Sequence, residues 1–211
     1  MPDSPAASPL RPLVIRGRRL IPIVQGGMGV GISAHRLAGN VARLGALGTI
    51  ASVDLRRHHP DLMDATRNSR DGPAIDTANL AALDREVVAA RAIAAGNGML
   101  AVNVMRAVTA YAGYVRKACE SGIDAIVMGA GLPLDLPDLT ADFPGVALIP
   151  ILSDSRGVAL VVRKWARKRR LPDAIVIEHP RYAGGHVGAA SIGDIADPRF
   201  DFERVIPECR E

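Results

Sequence analysis

The sequence predicts an α/β protein with parallel strands. Three observations predict it: six short apolar runs, helix-like stretches between them, and polar or glycine-rich residues closing one run after another. The runs are residues 21–25 (IPIVQ), 47–52 (LGTIAS), 100–105 (LAVNVM), 125–128 (AIVM), 146–152 (VALIPIL) and 174–177 (AIVI). They are continuous rather than alternating, the pattern of strands buried on both faces, and their βαβαβ order implies parallel pairing through right-handed crossovers. Spacing alone does not separate an open doubly wound sheet from a closed barrel. The strand ends favour the barrel. Residues 26–28, 52–54, 103, 129–131, 153–155 and 179–186 each follow a strand C-terminus or lie near it. In a barrel those ends meet at one mouth, where active sites are built.

The first run leads through GGMGVG into a helical pattern at Ala34, Leu37, Ala38, Val41 and Leu44, with Ser33 placed to be its N-cap. Gly45 suits the C-cap of that helix, and the second run follows. A polar region then precedes an Ala-rich helix around residues 80–95, which residues 96–98 (GNG) stop. Each later run is preceded by a helical stretch. A closed barrel takes eight strands and six are found, while the last residues, FDFERVIPECRE, read as the opening of a helix. The expectation is therefore a flexible N-terminal arm over residues 1–12 and, over residues 13–211, a barrel domain truncated after about six β/α units.

Composition excludes several classes. Apolar residues make up 48% of the 211 and charged residues 23%, and no stretch approaches the roughly 18 apolar residues of a membrane span, so a soluble protein is expected. The opening MPDSPAASPLRP lacks the basic start and apolar run of a secretory signal. Cys119 and Cys209 form neither a CxxC pair nor a disulfide framework, which fits a reducing, cytoplasmic setting. The net charge is +4, and much of the excess sits in Arg163, Lys164, Arg167, Lys168, Arg169 and Arg170, in a segment of helical periodicity. That run reads as a solvated helix face. With aromatics at 3%, no stacking platform accompanies it, and a nucleic-acid partner is not expected.

GGMGVG is either a phosphate cradle or a tight βα turn without a ligand, and its spacing is not the dinucleotide fingerprint. EHPRYAGGHVGA says more, because it places two histidines, a carboxylate and a glycine pair directly after a buried strand. Gly184 and Gly185 let the backbone approach a planar cofactor, and His186 supplies a group that titrates near neutrality. His179, closer to the strand end, is read as support for the loop. His58 and His59 near Asp54 and Asp61 match no standard metal site, and Asp54, Arg56 and Arg57 are assigned to an exposed loop. Asn103 is a polar side chain inside an apolar strand, so its amide needs partners, either backbone or the edge of a heterocycle. Met28, Met105 and Met128 are read as core or pocket lining. No Ser-His-Asp order or GxSxG elbow occurs, and Cys119 lies in a helical stretch, so nucleophilic catalysis has no candidate.

On these residues the chain resembles the nitronate monooxygenase family, once called 2-nitropropane dioxygenases, and the related FMN-dependent enoyl-acyl-carrier-protein reductases. The likeness runs from Pro22 to Gly188 through PIVQGGMG, LGALGTIAS, VNVM, DAIVMGAG, LIPILSDS and AIVIEHPRYAGGHVG, with the AGGH-x-G loop as its most specific part. The resemblance implies a TIM (β/α)8-type barrel holding FMN at the strand C-termini. It implies that Gly26, Gly27 and Met28 contact the flavin through the backbone, that Asn103 hydrogen-bonds its ring and that Gly184 and Gly185 flank it. His186 would be the catalytic acid or base. The implied reaction oxidises an alkyl nitronate with O2 to a carbonyl compound and nitrite, and in the alternative NAD(P)H reduces the flavin for a quinone or enoyl thioester. Two departures accompany the likeness: EHPRYAGGH is longer by about one residue than the common form, and the family's phosphate site follows strands seven and eight. A truncated or split gene product, self-associating or completed by a C-terminal chain, is the expectation. The rival reading is a non-catalytic binding or assembly protein using the basic helix at residues 163–170.

Overall fold

Two short strands, β1 (Leu13–Ile15) and β2 (Arg18–Leu20), pair antiparallel around a two-residue turn in which Arg16 and Gly17 hold φ of 47° and 78°. Two positive φ values in a two-residue loop make the type I′ turn, whose twist matches that of the strands it joins. The sequence reading did not include this hairpin. The computed structural model describes residues 10–183, 189 and 191–210. Five further strands lie parallel and in chain order: β3 (Leu47–Ala51), β4 (Met99–Met105), β5 (Ala125–Gly129), β6 (Ala147–Leu152) and β7 (Val176–Ile177). Helix α1 (His35–Arg43) precedes β3, the helices between the five strands are α2 (Pro60–Thr66), α3 (Gly72–Ala94), α4 (Tyr111–Glu120), α5 (Leu136–Leu139) and α6 (Ser155–Ala166), and α7 (Phe202–Glu208) follows.

The expected first strand, residues 21–25, is reduced to a single parallel bridge between Val24 and Leu47. The reason is a side chain. Gln25 N–H donates to Leu47 O at 2.9 Å and Leu47 N–H to Ile23 O at 3.1 Å, but at the next step the Gln25 amide replaces backbone as the partner. Thr49 N–H donates to Gln25 Oε1 at 3.0 Å, and Gln25 Nε2 donates to Thr49 O at 3.1 Å. The chain is thus freed to leave the sheet at Gly26. Ser33 is not the N-cap of α1, a position held by Ala34 without a side-chain bond. Gly45 does close α1, at φ 90° with its N–H on Ala42 O at 2.8 Å. α3 starts earlier than its periodicity indicates, because Pro73 in its first turn is preorganised for helix. α6 has a true cap, the Asp154 carboxylate accepting from Gly157 N–H at 2.7 Å.

Alternation along the strands divides the apolar side chains into two clusters. Outward-facing Ile50, Val102, Ile126 and Leu148 pack with Val87, Val115 and Trp165 of the helices. Inward-facing Leu47, Met99, Ala101, Ala125, Ala147 and Ile149 form the concave interior, plugged at its N-terminal end by Ile15 and Leu20 of the hairpin. An α/β architecture of five curled parallel strands, with a sixth segment bridged at residue 24, is a partial barrel of the expected type. Among the described residues no helix is long and apolar enough to cross a membrane.

Candidate functional site

The same alternation places Asn103 and Met105 of β4, Gly129 of β5 and Ile151 of β6 on the concave face near the C-terminal ends of the strands. Gly27 lies directly against this floor. A Cβ built on Gly27 would sit 2.5 Å from Asn103 Cβ and 2.9 Å from Asn103 Cγ, so the glycine backbone rests on the amide in a space that admits no side chain. A Cβ on Gly26 would meet nothing within 4 Å, which leaves that stretch of backbone open to a ligand. Asn103 is half-buried, and the one hydrogen bond of its side-chain amide among the described residues is long, Nδ2 to Val127 O at 3.5 Å. Most of the amide's donor and acceptor capacity is therefore unspent.

Ser33 holds the glycine loop in place. It is fully buried, its Oγ accepts from Met28 N–H at 2.7 Å, and its own carbonyl accepts from Ala51 N–H at 3.0 Å. Met28 is 43% exposed, whereas Met128, also read as core or pocket lining, is wholly buried on the helix side of the sheet. Gly31, at φ 71°, lies beneath the His58 imidazole, whose Nε2 occupies the place of a Cβ.

Behind the loop is a cluster that the sequence reading missed. Glu86 of α3 is 2% exposed, and its Oε2 accepts from both the backbone N–H and the Nδ1 of His35 at 2.7 Å each. Its Oε1 lies 3.0 Å from His59 Nε2. A carboxylate only accepts, so both imidazoles present N–H to it. The signal was legible: Glu86 stands at helical spacing from the buried Ala82, Leu83 and Ala90, on the face that should be apolar. Arg56 is corrected in the same region. It is buried, not part of an exposed loop, with Nη1 on Thr66 Oγ1 at 3.0 Å and Nε 3.3 Å from Asp54, while Arg57 is exposed as expected.

Beyond β4, the Arg106 guanidinium lies 3.9 Å over the Tyr111 ring, and the Tyr111 hydroxyl donates to Asp135, a bond that raises the phenol's pKa. His179 is a structural residue. Its Nδ1 accepts from Arg181 N–H at 3.1 Å, and its ring contacts Tyr182, Phe200 and Phe202, so it joins the end of β7 to the start of α7 and the segment before it. Burial raises the pKa of the neighbouring Glu178. Burial also pushes the Cys119 thiol up to about 11, consistent with its exclusion as a nucleophile. Gly184, Gly185 and His186 lie outside the described residues.

Residues 18–210 match the family described as nitronate monooxygenase. Among solved structures, FabK from Thermotoga maritima superposes with a TM-score of 0.57 at 20% identity, covering 81% of this chain and 44% of that one. A mutant of the same protein gives 0.51 at 21% identity, covering 81% and 46%. A nitroalkane oxidase from Streptomyces ansochromogenes reaches 0.34 at 15% identity, covering 80% and 68%, too low a score to bear on the fold. The chain thus spans less than half the length of FabK. No curated protein matches it.

Proposed function

We propose that this chain, which belongs to the nitronate monooxygenase family, acts in an FMN-dependent oxidation of alkyl nitronates by O2 to carbonyl compounds and nitrite. The observation that carries the reading is the seat formed by Gly27 on Asn103 at the mouth of the sheet. It combines a backbone without side chains, an amide with unspent donors and acceptors, and a concave floor of Met105, Gly129 and Ile151. These residues fit a planar heterocycle. When bound, FMN supplies the electron acceptor that no protein side chain provides.

The protein's own part is placement and proton handling. Gly26 and Gly27 offer backbone groups to the ring edge, with Met28 beside them, and Asn103 fixes the ring by its amide. Gly184 and Gly185 would flank the flavin, and His186, after the glycine pair in AGGHVG, would hold or move the substrate's proton near neutral pH. Glu86, through His35 and His59, anchors the structure behind the loop. The alternative keeps the site and changes the substrate, with NAD(P)H reducing the cofactor for a quinone or an enoyl thioester. We also place the protein in the cytoplasm, and we take a second copy or a complementing chain to supply the rest of the barrel.

The test is the visible absorption spectrum of the purified chain after incubation with FMN and desalting, followed by nitrite release from propionate 3-nitronate. Retained flavin bands, with nitrite formed in the absence of NADH and lost in His186→Ala, are expected. A colourless protein would mean that this chain does not hold flavin by itself. Flavin retention with turnover only in the presence of NADH would replace the nitronate reading by the reductase one.

A further inference from the structure

At the end of the sheet opposite the candidate site lies a cavity of about 330 Å³. Its lining joins the hairpin turn at Arg16 to Pro137, Asp138 and Phe143 beyond β5 and to Lys168, Arg169 and Arg170 after α6. The charges are organised rather than merely abundant. Arg16 and Arg170 both engage Asp173, Arg16 Nη1 at 3.2 Å, and Lys168 pairs with Asp138. Four cations thus face two carboxylates, and Arg169 makes no ion pair among the described residues.

Helix termini attract basic residues without any ligand, and that explains Arg163 and Lys164 in the last turn of α6. It does not explain Arg16 and Arg169. Arg169 holds φ 57° at the residue that closes α6, where its N–H bonds Ala166 O at 2.9 Å and Arg170 N–H bonds Trp165 O at 3.2 Å. This is the Schellman arrangement, whose left-handed position usually takes glycine. Arg16 holds φ 47° at the first position of a type I′ turn, which usually takes asparagine, aspartate or glycine. Two arginines therefore occupy backbone positions that disfavour them, and both line one cavity.

We propose that this cavity binds a small phosphate-bearing molecule, its phosphate oxygens held by the guanidinium groups of Arg16, Arg169 and Arg170 and its remainder resting on Phe143 and Pro137. Guanidinium forks match phosphate geometry, and the volume is at the small end of ligand pockets, enough for a phosphate and a short attached group. The inference is independent of the flavin site.

Isothermal titration calorimetry with pyrophosphate and with glycerol 3-phosphate, at about 50 mM salt where screening is weak, tests it. Saturable binding is expected, the tighter ligand telling a free anion from an ester. Arg169→Gly should weaken it about tenfold or more, as the loss of a charged hydrogen-bond donor predicts. That variant relieves a left-handed φ, so its melting temperature should hold or rise, which separates lost binding from lost fold. Arg163→Gln with Lys164→Gln, outside the cavity, should leave the affinity within about twofold. The proposal fails if neither ligand binds, or if Arg169→Gly binds as well as the parent. It fails too if an oligonucleotide binds more tightly than either ligand and loses affinity in the outer pair, because the run would then be a surface for polyanions.

Discussion

Gly26 and Gly27 are neighbours in sequence and differ in what a methyl group would meet. At Gly27 the added Cβ falls 2.5 Å from Asn103 Cβ, a contact that a β-strand residue cannot yield without moving the loop or the strand. At Gly26 it falls in open space. Gly27→Ala should therefore destabilise the fold by about 1–3 kcal/mol, as overpacking does. Gly26→Ala should stay within about 0.5 kcal/mol. Urea unfolding of the two variants separates them, and equal midpoints would mean that the loop does not rest on Asn103. The flavin reading adds a second expectation: Gly26→Ala, stable as it is, should still weaken FMN retention, because its methyl group would occupy the side where the ligand approaches. Asn103 itself was identified from sequence by a simple conflict, an amide in a strand otherwise built of apolar residues. The glycine contact was not legible, because it joins positions far apart in the chain.

Among elements, the strand order, parallel pairing and concave mouth followed from apolar runs, since five of the six became strands within about two residues of the expected bounds. The sixth did not, and the cause is local chemistry. Gln25 carries donors and acceptors that satisfy Thr49 from the side, so residues 21–25 pair with β3 by a bridge and a side chain instead of a ladder. The hairpin of β1 and β2 was missed because Arg16 stands where a turn signal would ordinarily be asparagine or glycine. Glu86 was passed over because periodicity counts apolar positions and says nothing of a carboxylate among them. It ties α3 to the first turn of α1 and to the His59 segment. Substitutions should rank accordingly. Glu86→Gln keeps one acceptor oxygen, and His59 can change tautomer to accept from the new amide, so the loss should be under about 1.5 kcal/mol. Glu86→Ala strands three donors and opens a cavity, and should cost about 2–5 kcal/mol. Chemical denaturation of the pair measures both, and an alanine variant no less stable than the glutamine one would show that the cluster does not anchor α1.

At the scale of the molecule, the sheet is curled but open among the described residues. Its outer members are β7 on one side and the segment at residue 24 on the other. Val24 shares its bridge with Leu47 through the backbone of its neighbours, Ile23 O and Gln25 N–H, so its own N–H and C=O point away from β3. Ile23 and Val24 are 57% and 48% exposed, an apolar edge at which the Val24 backbone N–H and C=O have no partner among the described residues. Such edges recruit further strands unless a charge, a proline or a covering element blunts them, and neither residue is charged. The chain spans 44% of the length of FabK, whose fold it shares in part, and we propose that a second copy pairs with that open edge. The expected outcome is concentration-dependent association in sedimentation velocity, reversible on dilution. Val24→Lys places a charge on the edge without touching the inward-facing floor at Asn103, and should shift the population toward monomer while far-ultraviolet circular dichroism stays constant. Flavin retention measured on the same fractions then distinguishes two roles for the edge. Loss of flavin on passing from oligomer to monomer would make the partner part of the site, while retention in the monomer would confine the site to residues of one chain. A parent chain that sediments as a monomer at every concentration would remove self-association through this edge.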